Sequence, residues 1–545
     1  MPNLNTPFHP IIYVRGYAMT DDEIAETTAD PFCGFNLGST VYRAVPDKKR
    51  PPRKFIFQSP VVRLASDFNY ENIYQNGYDI LDDEWEADAT GRPTGNLLAS
   101  RSIIIFRYYD QASDMLGSGT TPSINEFARQ LGDLVLRIRD LACKNEQNNL
   151  SEEDFRCYLV AHSMGGLICR AFLHNPHNDP KGASRYVDKF FTYATPHNGI
   201  EIAGMNVPNW LSLRDMNNFN REKMAQYLGL TTLAHKVPDD RVDWIPEERF
   251  PSERVFCMVG TNRMDYEVAM GLSRTFAGHG SDGLVKIDSA TLHGLKSNGQ
   301  PGQPCAKAFA YRSHSGHYGI VNSEEGYQNL TRFLFGDVRV DIWLDITDIR
   351  LPAEVQKQQD AGRQVNALYQ FEIMASPRGK LWYLTRRTAV EDSVACMSHT
   401  DWQAAPEENG KQYLSTVFLA NRAKVNPDRT TLAYCLTLNV LVPDYEIERK
   451  LLFNEHYEGS YLLHNQLIME LTPPATPKDQ WTIRYAWQGQ GTLPNFKTAK
   501  KEDSTAKAGQ AEVKIPLPSG DTGPGIEGQL RFVVSAWNRD AAMER

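Results

Sequence analysis

Between Ile11 and Gly336 short β-branched runs alternate with helical periods, and from Asp337 onward the alternation stops. No other feature of this sequence limits its possible folds as much. "IIYV" (Ile11 to Val14) is followed in turn by "IIIFRYY" (Ile103 to Tyr109), "FRCYLVA" (Phe155 to Ala161), "YVDKFFTYATP" and "RVFCMVGT" (Arg254 to Thr261). Among them, "TPSINEFARQLGDLVLRIRDLAC" places Ile124, Phe127, Leu131, Leu134, Val135, Ile138 and Leu141 on one helical face. Ser123 followed by Glu126 gives that helix a capping box. "NSEEGYQNLTRFLFG" predicts a further helix, closed by Gly336. Continuous apolar strands between helices predict an α/β domain whose mostly parallel sheet is covered on both faces.

Beyond Asp337 the segments "VRVDIWLDITDI", "ALYQFEIMA", "KLWYLTRR", "YLSTVFLANRA", "LAYCLTLNVLV", "YLLHNQLIMEL", "WTIRYAW", "AEVKIPL" and "LRFVVSAW" all read as strands between Pro, Gly, Asn and Asp turns. They predict an antiparallel, sandwich-like all-β domain. The expected organisation is an α/β domain over 1–336 and a β-rich accessory domain over 337–545. The polar, Lys-rich stretch from Lys497 to Gln510 reads as a mobile loop.

A formal net charge of -9 argues against nucleic acid as a partner, since phosphate binding needs a field of Lys and Arg. The basic run "KKRPPRK" (Lys48 to Lys54) reads as a solvated loop, with contact to a lipid surface as the weaker alternative. Eight cysteines in 545 residues make no disulfide framework. Several, including Cys157, Cys169, Cys257 and Cys435, sit inside apolar runs as small hydrophobes. The first residues lack the basic start and apolar core of a signal peptide. No apolar run approaches the roughly 18 residues of a membrane span. The expectation is a soluble cytoplasmic protein, with a dedicated export route left open.

The chemistry is concentrated in "YLVAHSMGGLICRAFL" (Tyr158 to Leu173), where a strand runs through one serine into a helix. A sharp strand-to-helix turn leaves room only for small neighbours, and Ala161 and Gly165 meet that demand. The helix start leaves backbone N–H groups free, so Met164 N–H is a candidate oxyanion donor beside Ser163. A second donor is expected from the loop after an early strand, and in "YVRGYA" the N–H of Tyr17, next to Gly16, fits. A serine hydroxyl needs a base. "HGSDGLVKIDSATL" offers Asp282 as the acid of a triad, with Asp288 as fallback and Asp265 as a poorer choice. "AFAYRSHSGHYGIVNSEEGY" offers His314 and His317, and His317 is preferred as the residue closer to the helix. Metal readings of His314 with His317 and of "HNPHND" (His174 to Asp179) are possible on spacing. The first lacks a third ligand nearby, and the second reads more simply as a polar helix-end loop.

"AHSMGG", "YATPHNG" (Tyr193 to Gly199), "SDGLV" and "GHYGIVNS" together resemble the lipase and esterase branch of the α/β-hydrolase superfamily, over roughly Ile11 to Gly336. The resemblance implies an α/β-hydrolase fold with a helical lid or cap and the triad Ser163, Asp282 and His317. It also implies an oxyanion hole from Tyr17 and Met164. Arg15 stands where the family usually has a histidine before Gly16. His162 and His197 are motif positions that usually support structure. The region after the Thr-Pro-His segment, 204–237, is the candidate lid. It carries Met205, Trp210, Leu211, Leu213, Met216, Phe219, Met224 and Leu228.

The expected activity is hydrolysis of a carboxylic ester of a lipid or lipid-like substrate. Alternatives are an acyltransferase with the same triad and a non-catalytic binding protein on a hydrolase scaffold. No cofactor is implied. Some relatives hold a structural calcium, but no ligands for it can be placed in this sequence. The β-rich domain is expected to meet a lipid surface, a carbohydrate or a protein partner, by analogy of fold alone.

Overall fold

A computed structural model describes residues 8–16, 40–43, 53–56, 60–72, 98–106, 108, 123–202, 205–206, 219–231, 241–264, 280–315, 319–424, 426–448, 455–474, 481–488, 495–499, 510–518 and 523–538. The strands of the first part are β1 (Ile11–Val14), β2 (Glu71–Asn72), β3 (Ser102–Ile105), β4 (Cys157–His162), β5 (Val187–Tyr193), β6 (Val255–Gly260) and β7 (Ala306–Ala310). They form one sheet in the order β7-β6-β5-β4-β1-β3-β2. The pairs β1/β3, β1/β4, β4/β5, β5/β6 and β2/β3 are all parallel. Every residue of β1, β3, β4 and β6 is buried, which is why these strands read as unbroken apolar runs.

Helices close the sheet. They are α1 (Pro60–Phe68), α2 (Ile124–Lys144), α3 (Met164–His174), α4 (Arg221–Tyr227) and α5 (Glu324–Phe335). The expected capping box starts α2: Glu126 N–H donates to Ser123 Oγ at 3.3 Å and Ser123 N–H to Glu126 Oε2 at 2.7 Å. All seven apolar residues read onto its inner face are buried. At about 1.5–3 kcal/mol for each large aliphatic or aromatic side chain, that face outweighs the helix's intrinsic propensity. α2 packs on α3, and Gly132 makes the approach possible, because a Cβ there would stand 3.1 Å from the Phe172 ring. Gly336 closes α5 as expected, its N–H bonded to Arg332 O at 2.7 Å.

The second part is antiparallel, with short helices (Ala353–Asp360, His399–Ala404, Pro406–Asn409) between strands. Its main strands are β8 (Val338–Arg350), β9 (Val365–Pro377), β10 (Lys411–Leu419), β11 (Leu432–Leu441), β12 (Tyr461–Thr472), β13 (Thr482–Trp487), β14 (Gln510–Pro516) and β15 (Gly525–Ala536). One sheet runs β10-β8-β15-β14, and a second contains β9-β11-β12-β13. Inward residues alternate along the strands, such as Val340, Ile342 and Leu344 on β8 and Leu436, Leu438 and Val440 on β11. They meet in one buried cluster drawn from both sheets, which makes the unit a sandwich. The strand expected over "KLWYLTRR" is confined to Thr385–Arg387. The residues before it are used by a turn in which Gly379 has φ +83° and Lys380 N–H bonds Pro377 O at 3.0 Å.

The chain divides into two compact units. One holds Pro7–Lys307 and Arg312–Leu330, and the other holds Thr331–Arg545 together with Ala308–Tyr311. Among the described residues no helix is long and apolar enough to cross a membrane. Of the candidate lid, 204, 207–218 and 232–237 lie outside the described residues, as do 48–52 of the basic run and 500–509 of the Lys-rich stretch.

Candidate active site

Ser163 is the single residue between the end of β4 and the start of α3. Its backbone takes φ +53° and ψ −130°, a conformation that costs a non-glycine residue on the order of 1–3 kcal/mol. The turn is held by Ser163 N–H to Tyr193 O and by Gly166 N–H to Ser163 O, both at 3.0 Å. The small residues after the serine are needed for definite contacts. A Cβ on Gly165 would lie 2.1 Å from Val14 O, and one on Gly166 would lie 2.2 Å from Thr195 Oγ1. The elbow is therefore pressed against the end of β1 on one side and the Thr195 loop on the other.

Two further loops reach the serine. Asp282 follows β6 and His314 follows β7. His314 Nε2 lies 2.9 Å from Ser163 Oγ, and its Nδ1 lies 2.9 Å from Asp282 Oδ2. A carboxylate only accepts, so Nδ1 carries the proton and Nε2 is left to accept from the serine hydroxyl. Asp282 is itself fixed, its Oδ1 accepting from Leu284 N–H at 3.0 Å and Val285 N–H at 2.8 Å. The histidine's own backbone N–H donates to Asp282 O at 3.0 Å. All three side chains are buried, with Ser163 the most accessible at 8%. The arrangement is that of a serine-hydrolase triad.

The histidine is therefore His314, and the preference for His317 is corrected on the bonds His314 makes. His317 falls in 316–318, outside the described residues. Tyr17 and Asp265 are also outside them. Asp288 is exposed on a short 3-10 turn, where its carbonyl accepts from Arg241, while Asp282 takes the histidine. Met164 opens α3 and is buried. Gly16 abuts Ser163 so closely that a Cβ there would stand 2.5 Å from the serine Cβ and 3.1 Å from its Oγ. The neighbouring Arg15 is half-buried, and its carbonyl accepts from Tyr108 OH at 2.8 Å.

The supporting histidines have definite partners. His162 Nε2 donates to His314 O at 2.9 Å, the two rings lying 5.0 Å apart. Burial first, then the nearby His314 and Arg15, push His162 well below the usual histidine range, so it stays neutral. His197 Nε2 meets Thr192 Oγ1 at 3.2 Å. Its carbonyl accepts from Arg170 Nη1 at 2.8 Å, while Arg170 Nη2 donates to Val242 O at 2.7 Å and Trp244 O at 2.9 Å. Arg170 is fully buried on α3, and burial holds it down to about 10. The sequence reading missed this clamp. An arginine spaced two turns along the nucleophile helix was the available signal, but nothing local showed which carbonyls it would meet.

Among the described residues no group of three or more His, Cys, Asp or Glu side chains is placed to hold a metal. "HNPHND" is a capped turn, with Asn175 Oδ1 accepting from His177 N–H at 3.1 Å.

No family model and no curated protein matches the chain. Among solved structures it is similar to the lipase BlEst2 of Bacillus licheniformis, at 13% identity over 61% of this chain and 94% of that one, with a TM-score of 0.30. It is also similar to phospholipase PlaB of Legionella pneumophila, at 12% identity over 83% of this chain and 90% of that one, with a TM-score of 0.31. Likeness at that level carries no functional weight.

Proposed function

We propose that the protein is a serine hydrolase of carboxylic esters with lipid-like, apolar acyl groups. The observation that carries this reading is the continuous chain from Ser163 Oγ through the His314 ring to Asp282, with 2.9 Å at each step. Such a chain lets the imidazole take the serine proton as the hydroxyl oxygen attacks the ester carbonyl. Asp282, anchored by two backbone N–H groups, stabilises the imidazolium that forms. The tetrahedral oxyanion is taken by Met164 N–H at the start of α3 and by Tyr17 N–H. The contact of Gly16, the residue before Tyr17 in the chain, with Ser163 supports this second assignment. The imidazolium then gives its proton to the departing alcohol, and water resolves the acyl-enzyme by the same route in reverse. The apolar preference rests on the Met- and aromatic-rich composition of 204–237 and on the sequence motifs.

The test is labelling of the wild type and Ser163→Ala with a fluorophosphonate, alongside turnover of p-nitrophenyl esters of increasing chain length. Labelling and turnover that vanish in the alanine variant, and turnover that rises with chain length, are expected. A wild type that neither labels nor turns over any ester, with or without detergent, overturns the proposal.

A further inference from the structure

The sandwich unit contains a hollow whose charge is opposite to that of the chain as a whole. A cavity of about 330 Å³ lies where β9 ends, β10 ends and β11 begins, lined by Arg332, Arg378, Lys424 and Arg429 over an apolar wall that includes Leu419 and Leu432. None of the described residues lining it is acidic. A second hollow of about 480 Å³ shares Arg378 and Arg429 with it and adds Arg484, Glu470 and Asp428. The two together gather five cations and two carboxylates, in a chain whose net charge is -9.

Among the described residues, the partners of Lys424 are uncharged, and Arg378 and Arg484 share one carboxylate. Lys424 Nζ donates to the neutral carbonyls of Arg429 at 2.9 Å and Thr430 at 3.4 Å. Glu470 is divided between Arg378 at 3.5 Å and Arg484 at 3.4 Å. Arg332 is 4% exposed, with its guanidinium 4.9 Å from the centre of the Trp382 ring. Like charges held around a concave, partly apolar hollow repel one another and focus a positive field into it. A bound anion relieves both effects. Guanidinium forks match the oxygens of a phosphate, and the cavity volume is that of a small-molecule site.

We infer that this hollow binds a phosphate-bearing group. The inference is independent of the ester-hydrolase reading, since every residue it uses belongs to the sandwich unit. The phosphate could belong to a soluble metabolite or to a phospholipid headgroup, and the chemistry of recognition is the same. Isothermal titration with inorganic pyrophosphate tests the first source. Co-sedimentation with phosphatidylglycerol vesicles, against phosphatidylcholine vesicles as control, tests the second.

The variant is Lys424→Ala with Arg429→Ala, two rim positions that are half-buried and exposed. With its melting temperature without ligand unchanged, it should bind about tenfold more weakly or worse, while Arg429→Lys alone, which keeps the charge but not the fork, weakens binding by less. Pyrophosphate binding that the double variant loses establishes a soluble phosphate ligand. Vesicle binding alone, lost in the same variant, establishes the headgroup. Silence from both probes, or a double variant that binds as well as the wild type, overturns the inference.

Discussion

Gly16→Ala isolates the positioning of the nucleophile from its chemistry. Gly16 does not have a positive φ, so its backbone accepts alanine and the perturbation is purely steric. The new methyl carbon would stand 2.5 Å from Ser163 Cβ, where carbon atoms in contact sit about 3.5–4.0 Å apart. Something must therefore move by about 1 Å. Neither side yields easily. The serine is tied to Tyr193 O, and Gly165 rests on Val14 O and Arg15 O. Gly16 continues from β1, whose Val14 is locked in register with Ala161. Overpacking of this kind costs about 1–3 kcal/mol of stability. A displacement of about 1 Å at the reacting group costs about 100-fold in kcat, close to 2.7 kcal/mol of barrier. The assay is steady-state turnover of p-nitrophenyl butyrate, normalised by active-site titration so that unfolded protein does not count. Wild-type kcat per titrated site in Gly16→Ala would refute the placement of Gly16 against the nucleophile, whatever happens to the melting temperature.

Asp282→Asn should keep the fold and lower kcat by about 10⁴, because the amide no longer enforces the proton on Nδ1. His314→Ala should abolish labelling while His317→Ala retains it, and the reverse pattern would reassign the base. Arg170→Met strips donors from His197 O, Val242 O and Trp244 O and should destabilise the fold by about 3 kcal/mol or more, measured by urea unfolding. Acid should weaken the unit that holds Ser163. His162, His174 and His197 are held by burial well below their ordinary 6.5, so below that pH the unfolded chain takes up protons that the folded one refuses. Stability is then full above pH 6.5 and falls as the pH drops, by up to about 1.4 kcal/mol per pH unit for each histidine. His174→Leu removes one of these groups, and urea unfolding at several pH values should show a slope shallower by about one proton.

Local patterns were legible where local physics decides. The capping box, the buried strands and the small residues of the elbow each follow from neighbours within a few positions. The choice between His314 and His317 did not, because it depends on the path of a loop. Asp282 O takes the backbone N–H of His314, and Ser313 pairs with Gly319, which brings the fourth residue past β7 to the serine. Proximity to the next helix, the criterion available in the sequence, is silent about that pairing. The carbonyls that receive Arg170 come from residues 27 to 74 positions away, beyond the reach of any periodicity. In the sandwich, strand identity was read well, but the turn at Gly379 cut the strand over 380–387 short of its apolar start.

Ser163 and His314 are 151 positions apart, and the serine has no base until both are present. At about 5–20 residues per second, a ribosome takes about 8–30 s to synthesise that interval. A nascent chain thus carries Ser163 without His314 for that long. Any reaction that needs both residues therefore waits until the loop after β7 has been made.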